Sequence, residues 1–148
     1  MWTARPAADG RASSRSTIPA VGTVPAEQIA GLFATAHAGI VMLRDRDLFA
    51  DALPTKLLEC MAAGRPVLLS ARGESAALVE GARAGLAVAP EDPAALAAAF
   101  RVLAAEPERR ERMGAAGRAA VSERYARRAS VDRWAGLLER VAAQQALR

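Results

Sequence analysis

Three short apolar runs, spaced by stretches of helical period, constrain this chain more than any other feature. AGIVML at 38–43 and PVLLS at 66–70 have no polar alternation, the pattern of strands buried on both faces. GLAVA at 85–89 is a third strand. Helices are predicted at 25–36, 54–63, 74–82, 93–105, 107–125 and 130–143. Short apolar strands alternating with helices predict an α/β fold, a Rossmann-like parallel sheet flanked by helices on both faces. A fourth strand is a candidate near 18–24. Open parallel sheets usually carry more strands than these, so the domain reads as incomplete at its N-terminus. Residues 1–20 contain Pro, Gly, Ser and scattered Arg without period and read as an irregular segment. The Rossmann-like domain with its C-terminal helices then occupies 21–145.

Punctuation supports these elements. Pro54 suits the first turn of a helix and Gly64 its C-terminal stop. Asp92 followed by Pro93 is an N-cap and a first-turn proline. Leu96, Phe100 and Leu103 then form one helical stripe. Of the 148 residues, 38 are alanine, which favours helix but fills little core volume. The core is therefore expected to be thin and built from Leu, Val, Ile, Met and a few Phe. Trp134 is expected to anchor it.

Several function classes are excluded by residue counts. A single cysteine, Cys60, rules out an intrachain disulfide and a multi-cysteine zinc site. A single histidine, His37, leaves no partner for a His-based metal site and no Ser-His-Asp set with a choice of histidine. No metal and no cofactor are expected. His37 reads as structural, and Cys60, set among Leu57, Leu58 and Met61, as a small inert hydrophobe. No run reaches membrane-spanning length, and the start lacks the apolar stretch of a signal peptide, which points to the cytoplasm. The net charge of +4 favours phosphates or anionic lipid as partners. Nucleic acid is not expected, because the arginines lack interleaved aromatics. The arginine-rich stretch 109–133 also carries acids and reads as a solvated, internally paired face.

In parallel sheets, ligands bind beyond the carboxyl ends of the strands. Three loops qualify: 44–53, 71–74 and 90–92. The first holds Arg44, Asp45, Arg46, Asp47 and Asp51 and runs into the helix that opens Pro54-Thr55-Lys56. That helix end offers free amides and a positive dipole, to which Lys56 and the Thr55 hydroxyl add a cation and a donor, a combination suited to phosphate. Asp51 and Glu59, eight residues apart, can accept hydrogen bonds from sugar hydroxyls. Glu59 equally suits a plain solvated helix face. Arg44 and Arg46 either reach a phosphate or pair with Asp45 and Asp47. Glu74 either complements its helix dipole or touches a sugar.

The run LPTKLLECMAAGRPVL at 53–68 resembles the nucleotide-sugar-binding core of the family 4 retaining glycosyltransferases. The resemblance is to the bacterial branch that builds O-antigen, capsule and exopolysaccharide. GTVPAEQIAGLFATAHAGIVML, GESAALVEGARAGLAVAPEDPAALAAAF and PERRERMGAAGRAAVSERY resemble the flanking segments in the same order, so the likeness covers 21–138. The resemblance implies the C-terminal, donor-binding half of a GT-B fold. It implies transfer of a hexosyl or N-acetylhexosaminyl unit from a nucleotide-sugar, by family habit UDP-linked, to a polysaccharide or lipid-linked precursor with retention.

The family's paired acidic motif falls on Asp51 and Glu59, with Asp in place of the first glutamate. By the resemblance, Asp51 is the catalytic residue, touching donor-sugar hydroxyls or the charge developing at the anomeric carbon. Glu59 would hold the ribose, with Lys56, Thr55, Leu57 and Glu74 completing nucleotide-sugar binding. The family's N-terminal acceptor-binding domain is expected to be missing from the chain, so little or no activity is expected of it alone. A lipid-linked acceptor would call for peripheral association at the inner face of the cytoplasmic membrane. Two other readings stay open: a non-catalytic nucleotide-binding half-domain working with a separate partner chain, and a truncated gene product.

Overall fold

The computed structural model describes residues 24–146, and its sheet is organised around one central strand. Strand β2, Val67–Ser70, pairs in parallel with β1, Gly39–Met42, on one side and with β3, Gly85–Val88, on the other. Gly39 stands opposite Val67, and Val67 opposite Gly85. The three expected strands are therefore all present, as an α/β, Rossmann-like arrangement. The candidate strand near 18–24 and the segment 1–20 lie outside the described residues.

Helix α1 is Ala26–Thr35, α2 Asp47–Ala50, α3 Thr55–Ala62 and α4 Glu74–Gly81. Then follow α5 Pro93–Ala105, α6 Pro107–Arg124 and α7 Arg127–Ala146. The short α2 interrupts a stretch expected to be loop. The Asp92 carboxylate accepts from the Ala95 amide at 2.8 Å, with Pro93 in the first turn, as the sequence predicts. At the other end of α5, the Arg110 guanidinium donates to the carbonyls of Leu103 and Ala104. That side chain satisfies two of the acceptors a helix end leaves open.

Strand alternation divides the core in two. Val67 and Leu69 point toward α3, α4 and α6, where they meet Val41, Leu57, Cys60, Met61, Leu78, Val79, Ala84 and Val121. Leu68 points the other way and packs with Ala99 and Leu103 of α5. All of β2 is buried. Alanine and glycine let the helices come close rather than fill space. A Cβ on Gly114 of α6 would stand 2.1 Å from the Gly64 carbonyl oxygen, so α6 seats on the end of α3 only with glycine there.

Two expectations are corrected. Strand β1 is not buried on both faces. Gly39 and Val41 are buried, but Ile40 is 49% and Met42 61% exposed. The helix on that face, α5, packs mainly over β2 and β3 and leaves these two side chains exposed. Trp134 is not a core anchor, being 64% exposed on α7. Helix α7 touches α6 at one end, and Val131, Leu138 and Val141 share the exposed side with Trp134. In the arginine-rich stretch, Arg109 pairs with Glu106 at 3.2 Å and Arg112 with Glu108 at 3.8 Å, both acids preceding the stretch rather than lying within it.

Replacing Gly114 by Ala is expected to lower unfolding stability by about 1–3 kcal/mol, the usual cost of overpacking. Replacing Gly31 by Ala, where nothing lies within 4 Å, is expected to raise it by roughly 0.5–1 kcal/mol. Urea titrations of both variants check the pair.

Candidate functional site

The carboxyl ends of the three strands open onto the three loops singled out by sequence. The loop after β1 turns through α2 and reaches α3 at Thr55. The N-cap of α3 is Pro54, which gives no side-chain cap. The first-turn amides of Thr55 and Lys56 therefore have no intrahelical acceptor and face outward at the positive end of the dipole. The Thr55 and Lys56 side chains are exposed beside them. Glu59, one turn further along the same helix face, is exposed. Leu57 differs: its side chain is wholly buried in the core and its amide donates to the Pro54 carbonyl at 3.0 Å. Neither group of Leu57 is turned toward a ligand at the helix end.

Asp51 closes α2 and is exposed. Its neighbours hold it against the start of α4. The buried Ser75 hydroxyl donates to the Ala52 carbonyl. Gly73, at φ 73°, sits so close to Ala50 that a Cβ would stand 2.0 Å from its carbonyl oxygen. Only glycine meets both conditions. Glu74, exposed, is the first residue of α4. One seam is thus closed between the stretch ending α2 at Asp51 and the start of α4 at Glu74, with Thr55, Lys56 and Glu59 following on α3.

The seam is held by a residue that the sequence reading did not single out. Arg72 bridges Asp45 through Nε at 2.6 Å and Asp47 through Nη2 at 2.7 Å. These charge-assisted bonds tie the β2–α4 loop to the β1–α3 loop across 25 and 27 residues of chain. They raise the Arg72 pKa further, the bond to Asp45 contributing most. Asp45 and Asp47 therefore pair with Arg72 and not with Arg44 or Arg46. No local sequence signal marks Arg72, because both partners come from a distant loop.

Arg44 instead lines a cavity of about 410 Å³ with Met42, Leu43, Ser70, Glu91, Asp92 and Leu96. It lies where β1, β2 and β3 end, on the α5 side of the sheet. Glu91 holds a left-handed backbone at φ 61°. Ser70, the polar last residue of an apolar strand, was the readable signal for this cavity. His37 lies at the opposite end of β1, exposed and away from the seam. Cys60 is buried, and burial first, then the Glu59 charge, pushes its thiol up to about 11. Its sulfur fills the space beside Gly39. This is a packing role.

Among the described residues no helix is long and apolar enough to cross a membrane. Residues 5–106, more than two thirds of the chain, match the family model described as Glycosyl transferases group 1. The match takes in most of the segment read as irregular. No curated protein and no solved structure matches.

Ser75→Ala would leave the Ala52 carbonyl without its donor and is expected to cost about 1–3 kcal/mol of stability. Arg72→Ala is expected to speed amide exchange over 44–50 without unfolding the sheet. Native Cys60 is expected to resist thiol reagents near neutral pH and to react once the chain is unfolded. Its raised pKa means that the folded state keeps a proton the unfolded state gives up. Its contribution to stability is full below pH 9.0 and is lost as pH rises toward about 11. Denaturation of the protein and of Cys60→Ala across that range checks this, the variant lacking that part of the decline.

Proposed function

This chain belongs to the group 1 glycosyl transferases, and we propose that it is the donor-binding part of a transferase using a UDP-linked sugar. The transferred unit is a hexosyl or N-acetylhexosaminyl group, and the acceptor a bacterial polysaccharide or lipid-linked precursor in the cytoplasm. The observation that carries this reading is the uncapped start of α3, with Lys56 and Thr55 exposed at the carboxyl edge of the sheet. A diphosphate is the ligand chemistry that open amides, a helix dipole and an ammonium group suit together.

The residues then divide the work. The amides of Thr55 and Lys56, with the Lys56 ammonium, hold the diphosphate and stabilise it as it departs. Glu59 accepts from the ribose hydroxyls. Asp51 accepts from donor-sugar hydroxyls or faces the positive charge that develops at the anomeric carbon. Glu74 contacts the sugar from the start of α4. Loss of the diphosphate and entry of the acceptor on the same face keeps the anomeric configuration. Acceptor binding belongs to a second domain in this reading.

Calorimetric titration of UDP and uridine into the full chain tests the site. Glu59→Ala is expected to weaken both by about 1.5–3 kcal/mol, the range for a hydrogen bond to a charged group. Lys56→Ala is expected to weaken UDP more than uridine. Unchanged affinity in a folded Glu59→Ala variant removes Glu59 from the site. Equal losses for the two ligands in Lys56→Ala remove Lys56 from the phosphate.

A further inference from the structure

Helices α2 and α3 follow one another in the chain but are held in different ways. Helix α3 is anchored in the core, where Leu57, Cys60 and Met61 are buried. Thr55, Lys56 and Glu59 ride on that anchored helix. Helix α2 has no buried residue. At four residues it is far below the length at which a helix holds itself in water. Its place depends on contacts at its two ends. At the C-terminal end, Ser75 donates to the Ala52 carbonyl and Gly73 closes on Ala50, on either side of Asp51. At the N-terminal end, Arg72 donates to Asp45 and to Asp47, the first residue of α2.

Resting on the reading in which Asp51 accepts from donor-sugar hydroxyls while Lys56 and Glu59 hold the nucleotide, we propose that Arg72 is a positioning residue for the sugar end of the donor site. It acts through α2 on Asp51 and leaves the nucleotide end untouched. With both ends of α2 held, Asp51, its C-cap, has one place. Without Arg72, α2 is held only at Ala50 and Ala52 and pivots about them, so Asp51 must be ordered each time a sugar binds. That ordering lowers affinity for the sugar. Thr55, Lys56 and Glu59 stay where the buried side chains of α3 keep them. Arg72 acts on the site through carboxylates, because its Nε and Nη2 are turned to Asp45 and Asp47. The clamp is open to solvent, with Arg72 45% and Asp45 51% exposed and Asp47 fully so. Salt therefore screens it, and the advantage of a UDP-sugar over UDP falls as ionic strength rises.

Calorimetric titration of the full chain with UDP, UDP-glucose and UDP-N-acetylglucosamine tests the proposal. The readout is the ratio of the UDP dissociation constant to that of the tighter UDP-sugar. Arg72→Ala, checked for folding by circular dichroism, is expected to lower this ratio about three- to tenfold with the UDP constant unchanged. The double variant Asp45→Asn/Asp47→Asn is expected to lower it by the same factor, and adding Arg72→Ala to that variant to lower it no further. Sodium chloride is expected to lower the ratio in the unaltered protein and not in the variants. An unchanged ratio in folded Arg72→Ala overturns the proposal, and so does an equal loss for UDP and UDP-sugar. A fall in Arg72→Ala with none in the Asp45→Asn/Asp47→Asn variant also overturns it, because Arg72 then touches the ligand itself. Each of these leaves the donor-binding reading standing. An unaltered protein that binds neither UDP nor a UDP-sugar overturns that reading and the role of Arg72 with it.

Discussion

Burial of β2 on both faces is the interaction on which the rest of the structure depends. Val67 and Leu69 hold α3, α4 and α6 on one side, and Leu68 holds α5 on the other. Both edges of β2 are hydrogen-bonded, so its backbone is satisfied within the sheet. An alanine-rich chain has little bulk to spare. It compensates by close approach, as where Gly114 of α6 rests against the Gly64 carbonyl. Both core clusters meet at β2, on its two faces.

From that centre the coverage thins outward. Helix α5 reaches β2 and β3 but leaves the outer face of β1 open at Ile40 and Met42. Helix α7 extends from α6 with Trp134 and its neighbours exposed. Both regions carry apolar side chains in a pattern of burial that the described residues do not complete. Hydrophobic periodicity reports that a face is apolar; it does not report what covers it.

The candidate site depends on a join between two loops. Arg72 reaches Asp45 and Asp47, Ser75 reaches Ala52, and Gly73 presses on Ala50. Together these contacts place the stretch around Asp51, which leads into α3, beside the start of α4. Thr55, Lys56, Asp51, Glu59 and Glu74 were legible as candidates because helix starts and loop carboxylates have local signatures. Leu57 shows the limit of that reading: its position in the motif says nothing of its direction, and the side chain lies in the core. The Arg72 clamp was not legible at all, because a salt bridge spanning 25 residues leaves no mark in either segment alone.

What the sequence determined by itself was the order and kind of elements. Apolar runs too short for helices, the Asp92-Pro93 start, the Pro54 start and the Gly64 stop act through the local backbone, and no distant residue is needed to read them. Tertiary structure alone decided that β1 buries Val41 and exposes Ile40, that Trp134 faces out, and that Asp45 and Asp47 belong to Arg72. Each of these depends on which distant element arrives at a surface and how far it extends. That outcome is set by packing across the chain and not by the identity of neighbouring residues.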